Sequence, residues 1–187
     1  MILTYFGDGC FRFQSGERTL LVDPTNNRLK ADLTLRTLVP TSVGAAIAGE
    51  IVYPGEYESE GMEITGLGVQ EESTAKFLKT VYLVRWEDMS FGFLGHIARM
   101  PDAELLEAIS GCDVLVVPFD GAHFLSVADA AKIAKQVDPH VVVPSFAQKP
   151  AELLKVLGQN AREEDKFVFK KKDIAGERGR VVLLKAI

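Results

Sequence analysis

The chain has 187 residues, 47% of them hydrophobic and 25% charged, with 16 glycines, 8 prolines and a net charge of −5. These values are typical of one globular domain and exclude a collagen-like, coiled-coil or intrinsically disordered chain. The negative charge argues against a nucleic-acid partner, because nucleic-acid-binding proteins carry a basic surface. The basic cluster formed by Lys166 and residues 170–172 is expected to be a solvated turn.

Two further features of the composition bear on location. No stretch approaches the ~18 consecutive apolar residues of a membrane span, and the first residues lack the basic and apolar regions of a signal peptide. Cys10 and Cys112 have no CxxC partner, and a nucleophilic Cys10 would need a histidine that nothing in the sequence places beside it. We therefore expect a cytoplasmic protein with reduced thiols and no membrane partner.

Short strands separated by turns are predicted for the first half of the chain. Alternating apolar residues predict strands at 3–6, 11–14 and 19–22, which would form a β-meander with a hairpin turn at 15–18. Further strands are predicted at 32–35, 38–39, 51–53, 56–60, 62–65, 80–86 and 89–94. Residues 42–48 are small and apolar, which fits either a short helix or a loop.

Three glutamates alternate along the predicted strand 56–60. Glu56, Glu58 and Glu60 would share one face of that strand. They could hold a divalent cation, or they could form a solvated edge where like charges discourage pairing. The edge is favoured, because sites for hard cations seldom use strand carboxylates alone.

The second half alternates between strands and helices. Helices are predicted at 101–109, 126–137 and 150–157, and strands at 114–118, 141–144, 167–169 and 181–184. The strands at 114–118 and 141–144 are apolar throughout, so both faces of their sheet must be covered. The chain is therefore predicted to form an α/β domain over residues 1–187, with two packed sheets and helices outside.

Short motifs occur in a definite order along the chain. They are TYFG at 4–7, LLVDP at 20–24, YPGEYE at 53–58 followed by Gly61, FLG at 93–95, CDVLVVP at 112–118 and DPHVVVP at 138–144. Together they resemble the metallo-β-lactamase superfamily, in its small UlaG-like or YtkL-like branch of hydrolases. This resemblance implies a four-layer αββα sandwich of two mixed β-sheets flanked by helices, and zinc-dependent hydrolysis.

The metal ligands implied by the resemblance are missing from this chain. The HxHxDH motif of the family would fall within residues 38–45, which contain neither histidine nor aspartate. An aspartate usually follows the Leu-Gly pair where this chain has His96, and a histidine usually follows the strand that here ends at Pro144. The resemblance therefore implies a degenerate member without a bound metal, and no cofactor is expected.

The three histidines of the chain, His96, His123 and His140, leave two interpretations open. Zinc could bind to His96, His123 and Asp120, a set of two histidines and a carboxylate. Alternatively these are polar residues at loop mouths, which is favoured because the usual closely spaced ligand pair is absent. His140 is expected to be a capping or surface residue. The resemblance implies that Asp23 supports the ligand loop by hydrogen bonding.

Two functions follow from these observations. The first is a pseudoenzyme, a non-catalytic binding or assembly protein whose cleft takes a small molecule or a protein partner, including a second copy or a metal-bearing relative. Its cleft mouth would be formed by Asp8, Glu56, His96, Asp120 and His123. The alternative is a hydrolase with a rebuilt site, in which His96 or His123 is the general base and Asp120 orients it.

Overall fold

The computed structural model describes residues 1–42, 47–120, 122–147 and 149–187. Its strands are β1 (Ile2–Tyr5), β2 (Phe11–Ser15), β3 (Arg18–Val22), β4 (Leu33–Leu35), β5 (Leu38–Pro40), β6 (Glu50–Ile51), β7 (Gly55–Ser59), β8 (Met62–Gly68), β9 (Phe77–Trp86), β10 (Met89–Phe93), β11 (Val114–Pro118), β12 (Val141–Ser145), β13 (Glu163–Glu164), β14 (Phe167–Val168), β15 (Arg180–Val181) and β16 (Leu183–Leu184). Its helices are α1 (Ala103–Ala108), α2 (Val127–Val137), α3 (Pro150–Leu157) and α4 (Lys171–Ile174).

The first sheet has the strand order β14-β1-β2-β3-β4-β6. The predicted meander is correct for β1, β2 and β3, which pair antiparallel. The antiparallel order is interrupted after β3, because β4 and β6 add in parallel after long connections that return the chain to the same end of the sheet. The predicted strand at 51–53 is shorter and starts earlier, as β6. The helix or loop predicted at 42–48 falls largely on residues 43–46, which lie outside the described residues.

The second sheet has the order β15-β12-β11-β10-β9-β8-β7, and β5 pairs with β9 beside it. Strands β7 to β10 pair antiparallel, whereas β10, β11, β12 and β15 pair in parallel. Every residue of β11 and β12 is buried, as their apolar sequences predicted. The two mixed sheets with their helices confirm the predicted α/β sandwich fold.

Two hydrophobic cores hold the layers together. The core between the sheets contains Phe13 and Phe91, whose rings meet edge to face with centroids 5.1 Å apart. The core on the outer face of the second sheet joins β11 and β12 to residues of α1, α2 and α3. Helix α2 begins where the sequence predicted, because the Ser126 side chain accepts a hydrogen bond from the backbone of Asp129.

The basic cluster near the C-terminus differs from its prediction. Residues 170–172 are exposed, but they begin the short helix α4 instead of forming a turn. The reason is local, since the Asp173 carboxylate accepts a hydrogen bond from the backbone N–H of Lys170. Within the described parts of the chain, no helix is long and apolar enough to cross a membrane.

Candidate functional site

Three polar side chains meet where strands of both sheets end, and we call Asp23, Thr37 and His96 the triad. Asp23 directly follows β3, Thr37 precedes β5, and His96 lies three residues after β10. The backbone N–H of Thr37 donates to Oδ1 of Asp23 at 2.7 Å, and its hydroxyl donates to Oδ2 at 2.5 Å. The same hydroxyl oxygen lies 2.7 Å from Nδ1 of His96. The triad is thus one continuous hydrogen-bonded chain.

The triad depends on a glycine that precedes its histidine. Gly95 has a φ of +61°, a left-handed conformation that costs a residue with a Cβ free energy. A Cβ at this position would overlap the side chain of Thr37. Glycine therefore allows both the sharp turn after β10 and the close approach of Thr37 to His96.

Hydrogen-bond counting determines which nitrogen of His96 carries the proton. The Thr37 hydroxyl has one hydrogen, which it donates to the carboxylate of Asp23. Its oxygen can therefore only accept from His96, so Nδ1 must be the protonated nitrogen. In the neutral imidazole the other ring nitrogen, Nε2, then has a lone pair that can accept a hydrogen bond.

The segment after His96 is fixed by a buried glutamate. The carboxylate of Glu72 accepts hydrogen bonds from the backbone N–H groups of Ala98 and Arg99 at 2.8–3.0 Å. It also forms an ion pair with Lys79, with an N–O distance of 2.7 Å, and its own side chain is 7% exposed. The chain on both sides of the imidazole is therefore held in place.

Two phenylalanines, which we call the aromatic pair, pack beside the imidazole. Phe124 and Phe146 stack on each other with centroids 4.0 Å apart and an interplanar angle of 16°. Their centroids lie 5.9 and 5.3 Å from that of His96. The Phe146 ring also covers Gly9, where a Cβ would overlap it. Aromatic rings thus occupy the space next to the triad.

The pKa values of the triad reflect its burial. Burial raises the pKa of the Asp23 carboxyl, while His96 and the hydrogen bonds from Thr37 lower it. Burial also lowers the pKa of His96, whereas the charge of Asp23 raises it and that of Lys79 lowers it. For His96 the net effect is a lowered pKa, which favours the neutral imidazole with its proton on Nδ1.

Acid should therefore destabilise the protein through His96. Because its folded-state pKa is lowered, the unfolded chain takes up a proton first as the pH falls below about 6.5. We expect the free energy of unfolding to fall there, with a contribution from this group of at most about 1.4 kcal/mol per pH unit. Urea denaturation at pH 7.5, 6.5 and 5.5 measures it, and His96→Leu should have the shallower pH dependence. Equal slopes for the two proteins would contradict the lowered pKa.

The other predicted site residues make different contacts from those of the triad. Oδ1 of Asp120 accepts hydrogen bonds from the backbone N–H groups of Ala122, His123 and Phe124 at 2.7–3.0 Å, so it stabilises its own loop. The side chains of His123 and Asp8 are exposed. In the described part of the chain, no hydrogen bond or ring contact joins Asp120, His123 or Asp8 to His96.

The three-glutamate face predicted at 56–60 is corrected by the structure. Glu56 and Glu58 are exposed on β7, which is an edge strand of the second sheet. Glu60 lies beyond the end of β7 with a φ of +56°, and it forms an ion pair with Arg18. It turns away because it begins the hairpin into β8, so the three carboxylates do not share one strand face.

The cysteines and the last histidine have structural surroundings. Burial raises the pKa of the Cys10 thiol to about 11 and that of Cys112 to about 12, so both remain protonated at neutral pH. His140 is half-buried, and its Nδ1 lies 2.8 Å from the backbone oxygen of Glu177. Its Nε2 lies 3.8 Å from Oδ1 of Asp113. It precedes β12, at the end opposite Phe146.

The residues present do not fit a metal ion of the kind that the resemblance implied. Among residues 1–42, 47–120, 122–147 and 149–187, no group of three His, Cys, Asp or Glu side chains could hold one. The His96 ring has the aromatic pair beside it, and among the described residues no further His, Cys, Asp or Glu side chains complete a set of three ligands around it. Of the stretch 38–45 where the motif was sought, residues 43–45 lie outside the described residues.

Sequence reasoning found two members of the triad but not their connection. Thr37 was missed because it is 14 residues from Asp23 and 59 from His96, and threonine has no motif of its own here. The packing of Phe146 beside His96 was not predicted either. The sequence feature that could have indicated both contacts is glycine. A Cβ at Gly95 would overlap Thr37, and a Cβ at Gly9 would overlap Phe146.

Comparisons with known proteins agree with this architecture. A family model described as the β-lactamase superfamily domain matches residues 37–145. The structure is similar to that of a proposed Zn-dependent hydrolase of the metallo-β-lactamase superfamily from Thermotoga maritima, with 20% identity, a TM-score of 0.81 and coverage of 98% of this chain and 97% of that one. A search of curated proteins gives no match.

Two other solved structures are also similar. One is a metallo hydrolase from the archaeon Ignicoccus hospitalis, with 18% identity, a TM-score of 0.69 and coverage of 90% of this chain and 99% of that one. The other is a proposed metal-dependent hydrolase from Parabacteroides distasonis, with 14% identity, a TM-score of 0.66 and coverage of 99% and 92%. At such identities the likeness shows a shared fold.

Proposed function

The chain belongs to the metallo-β-lactamase superfamily, and from that premise we propose that it is a non-catalytic member whose cleft binds a small molecule. The observation that carries the proposal is the aromatic pair stacked beside His96. A hydrolytic metal site needs several converging nitrogen and oxygen donors with an open position for water. Here the imidazole of His96 is packed beside two phenylalanine rings.

The surroundings of the imidazole favour binding over hydrolysis. The His96 side chain is 20% exposed, and its orientation is held by Thr37 and Asp23. A rigid polar atom beside apolar rings is the usual composition of a small-molecule site, where a few polar groups orient an apolar ligand. The half-buried rings of the aromatic pair supply the apolar part.

The alternative, a hydrolase built on His96, Asp120 and His123, has weaker support. A general base is oriented by a carboxylate within hydrogen-bond reach. For His96 that orientation comes from Asp23 through Thr37, and Asp120 is engaged by three backbone N–H groups of its own loop. A cytoplasmic location remains part of the proposal, supported by two buried free thiols.

Metal analysis tests the proposal directly. Protein purified without a nickel column or chelator, and then incubated with Zn²⁺, Fe²⁺ or Mn²⁺ and desalted, should retain far less than one equivalent of metal by plasma mass spectrometry. The same samples should not hydrolyse chromogenic esters, lactams or phosphodiesters above the rate of a buffer blank. One tightly held metal ion per chain, lost in His96→Leu, would contradict the proposal, as would hydrolysis that this variant abolishes.

A further inference from the structure

We propose that the ligand of this cleft is a planar aromatic molecule carrying an N–H or O–H group, which stacks on Phe124 in place of the Phe146 ring and donates a hydrogen bond to Nε2 of His96. This inference rests on the proposed function and specifies its ligand. It follows from the direction of the hydrogen bonds in the triad, the position of the Phe146 ring and the way in which that ring is held.

The polar requirement comes from the triad. Because Thr37 donates to Asp23 and accepts from Nδ1–H of His96, the neutral imidazole has its lone pair on Nε2, which can then accept a hydrogen bond but cannot donate one. In the described part of the chain no hydrogen-bond partner of Nε2 is present. A ligand must therefore bring the hydrogen, and a ligand without an N–H or O–H group leaves this nitrogen unpaired.

The planar requirement comes from the aromatic pair. Phe146 lies parallel to Phe124 at stacking distance, and its ring centroid is 5.3 Å from that of His96. A ring in this position stacks on Phe124 on one side and lies close to the imidazole, whose plane is tilted by 58° to it. A heterocycle or phenol of similar size would keep the stacking and add the hydrogen bond that a phenyl ring cannot make.

Phe146 is held in a way that allows its ring to leave. Its φ is +57°, a strained value for a residue with a large side chain. It follows the end of β12, and its backbone N–H makes only a long hydrogen bond of 3.4 Å to the hydroxyl of Tyr5. The residue is only partly buried, so part of it is already accessible to solvent.

Indole and 1-methylindole are suitable probes, because they share size and stacking and differ in the N–H donor. Binding is measured by NMR titration of His96 and the aromatic pair. We expect wild-type protein to bind indole about fivefold to tenfold more tightly than 1-methylindole, which is the contribution of one hydrogen bond.

The variant Phe146→Ala should bind indole roughly tenfold more tightly than wild type, because the vacated space is lined by apolar groups. Phe77→Ala, which removes an exposed ring on β9, is the control and should bind as wild type does.

Variants of the triad separate the hydrogen bond from stacking. His96→Leu should lose the preference for indole over 1-methylindole, whereas His140→Leu, at the opposite end of β12, should keep it. Asp23→Asn tests the positioning role of Asp23. Its amide would donate to the Thr37 hydroxyl, which would then donate to His96 and move the imidazole proton to Nε2. We expect the ¹⁵N chemical shifts of Nδ1 and Nε2 of His96 to change from those of the Nδ1–H tautomer to those of the Nε2–H tautomer. The preference for indole over 1-methylindole should then disappear.

The outcomes distinguish a failure of the proposed ligand from a failure of the proposed function. Equal affinity for the two probes in wild type and in Phe146→Ala would overturn the acceptor role of His96, and binding of neither probe would overturn the ligand class. Both results can occur with metal-free protein, in which case the non-catalytic function stands. One metal ion per chain in the same samples would instead overturn the proposed function. An indole preference that survives Asp23→Asn with an unchanged His96 tautomer would contradict the positioning role.

Discussion

Replacing Gly95 with alanine is expected to lower the free energy of unfolding by roughly 2–5 kcal/mol. Two costs contribute to this loss. The new residue must adopt a φ near +61°, which is unfavourable for an L-residue with a Cβ, and that Cβ would overlap the Thr37 side chain. Thr37 is fully buried and hydrogen-bonded to both neighbours in the triad, so it cannot move aside cheaply.

Gly111→Ala is the matched control for this substitution. Gly111 also has a left-handed φ, +68°, but nothing lies within 4 Å of the position where its Cβ would be. Gly111→Ala should therefore lower the free energy of unfolding only by the cost of the left-handed backbone conformation, about 1–2 kcal/mol. Urea denaturation of the three proteins measures the difference at constant m-value. Equal losses for the two variants would show that Thr37 does not require the space above Gly95.

The fold could be predicted from sequence where burial leaves a simple pattern. Strands β11 and β12 are buried on both faces and therefore read as unbroken apolar runs. Helix α2 was predicted from its Ser126 cap. The parallel addition of β4 and β6 could not be predicted, because strands of two or three residues have too little alternation to show their neighbours.

The candidate site was predictable only in part, for a related reason. A hydrogen bond between distant residues leaves no periodicity in sequence, so the pairing of Asp23 with Thr37 and His96 needed three-dimensional information. Asp120 resembled a partner of the histidines because it is a carboxylate near His123. Its oxygen is instead satisfied by backbone N–H groups of the same loop, a local use that sequence spacing does not distinguish.

Replacing Asp23 with alanine is the second change with a large expected effect, a loss of roughly 2–4 kcal/mol in the free energy of unfolding. The substitution leaves the backbone N–H of Thr37 and its hydroxyl without their acceptor in a buried environment, where Asp23 itself is 8% exposed. Unpaired buried donors cost the full loss of hydration. His96 also loses the charge that favours its protonated form, so its pKa should fall further.

Asp32→Ala is an unusually close control for this prediction. The carboxylate of Asp32 accepts hydrogen bonds from the backbone N–H and the hydroxyl of Thr19 at 2.7 and 2.8 Å, the same pattern that Asp23 makes with Thr37. Asp32 is exposed, so water can replace the lost acceptor and the loss should be much smaller. Because the two sites share chemistry and differ in burial, the difference between their urea midpoints measures what burial adds. If Asp32→Ala destabilises the protein as much as Asp23→Ala, the loss of stability comes from the hydrogen bonds alone and not from burial. In that case the local hydrogen-bond geometry is what keeps the triad rigid.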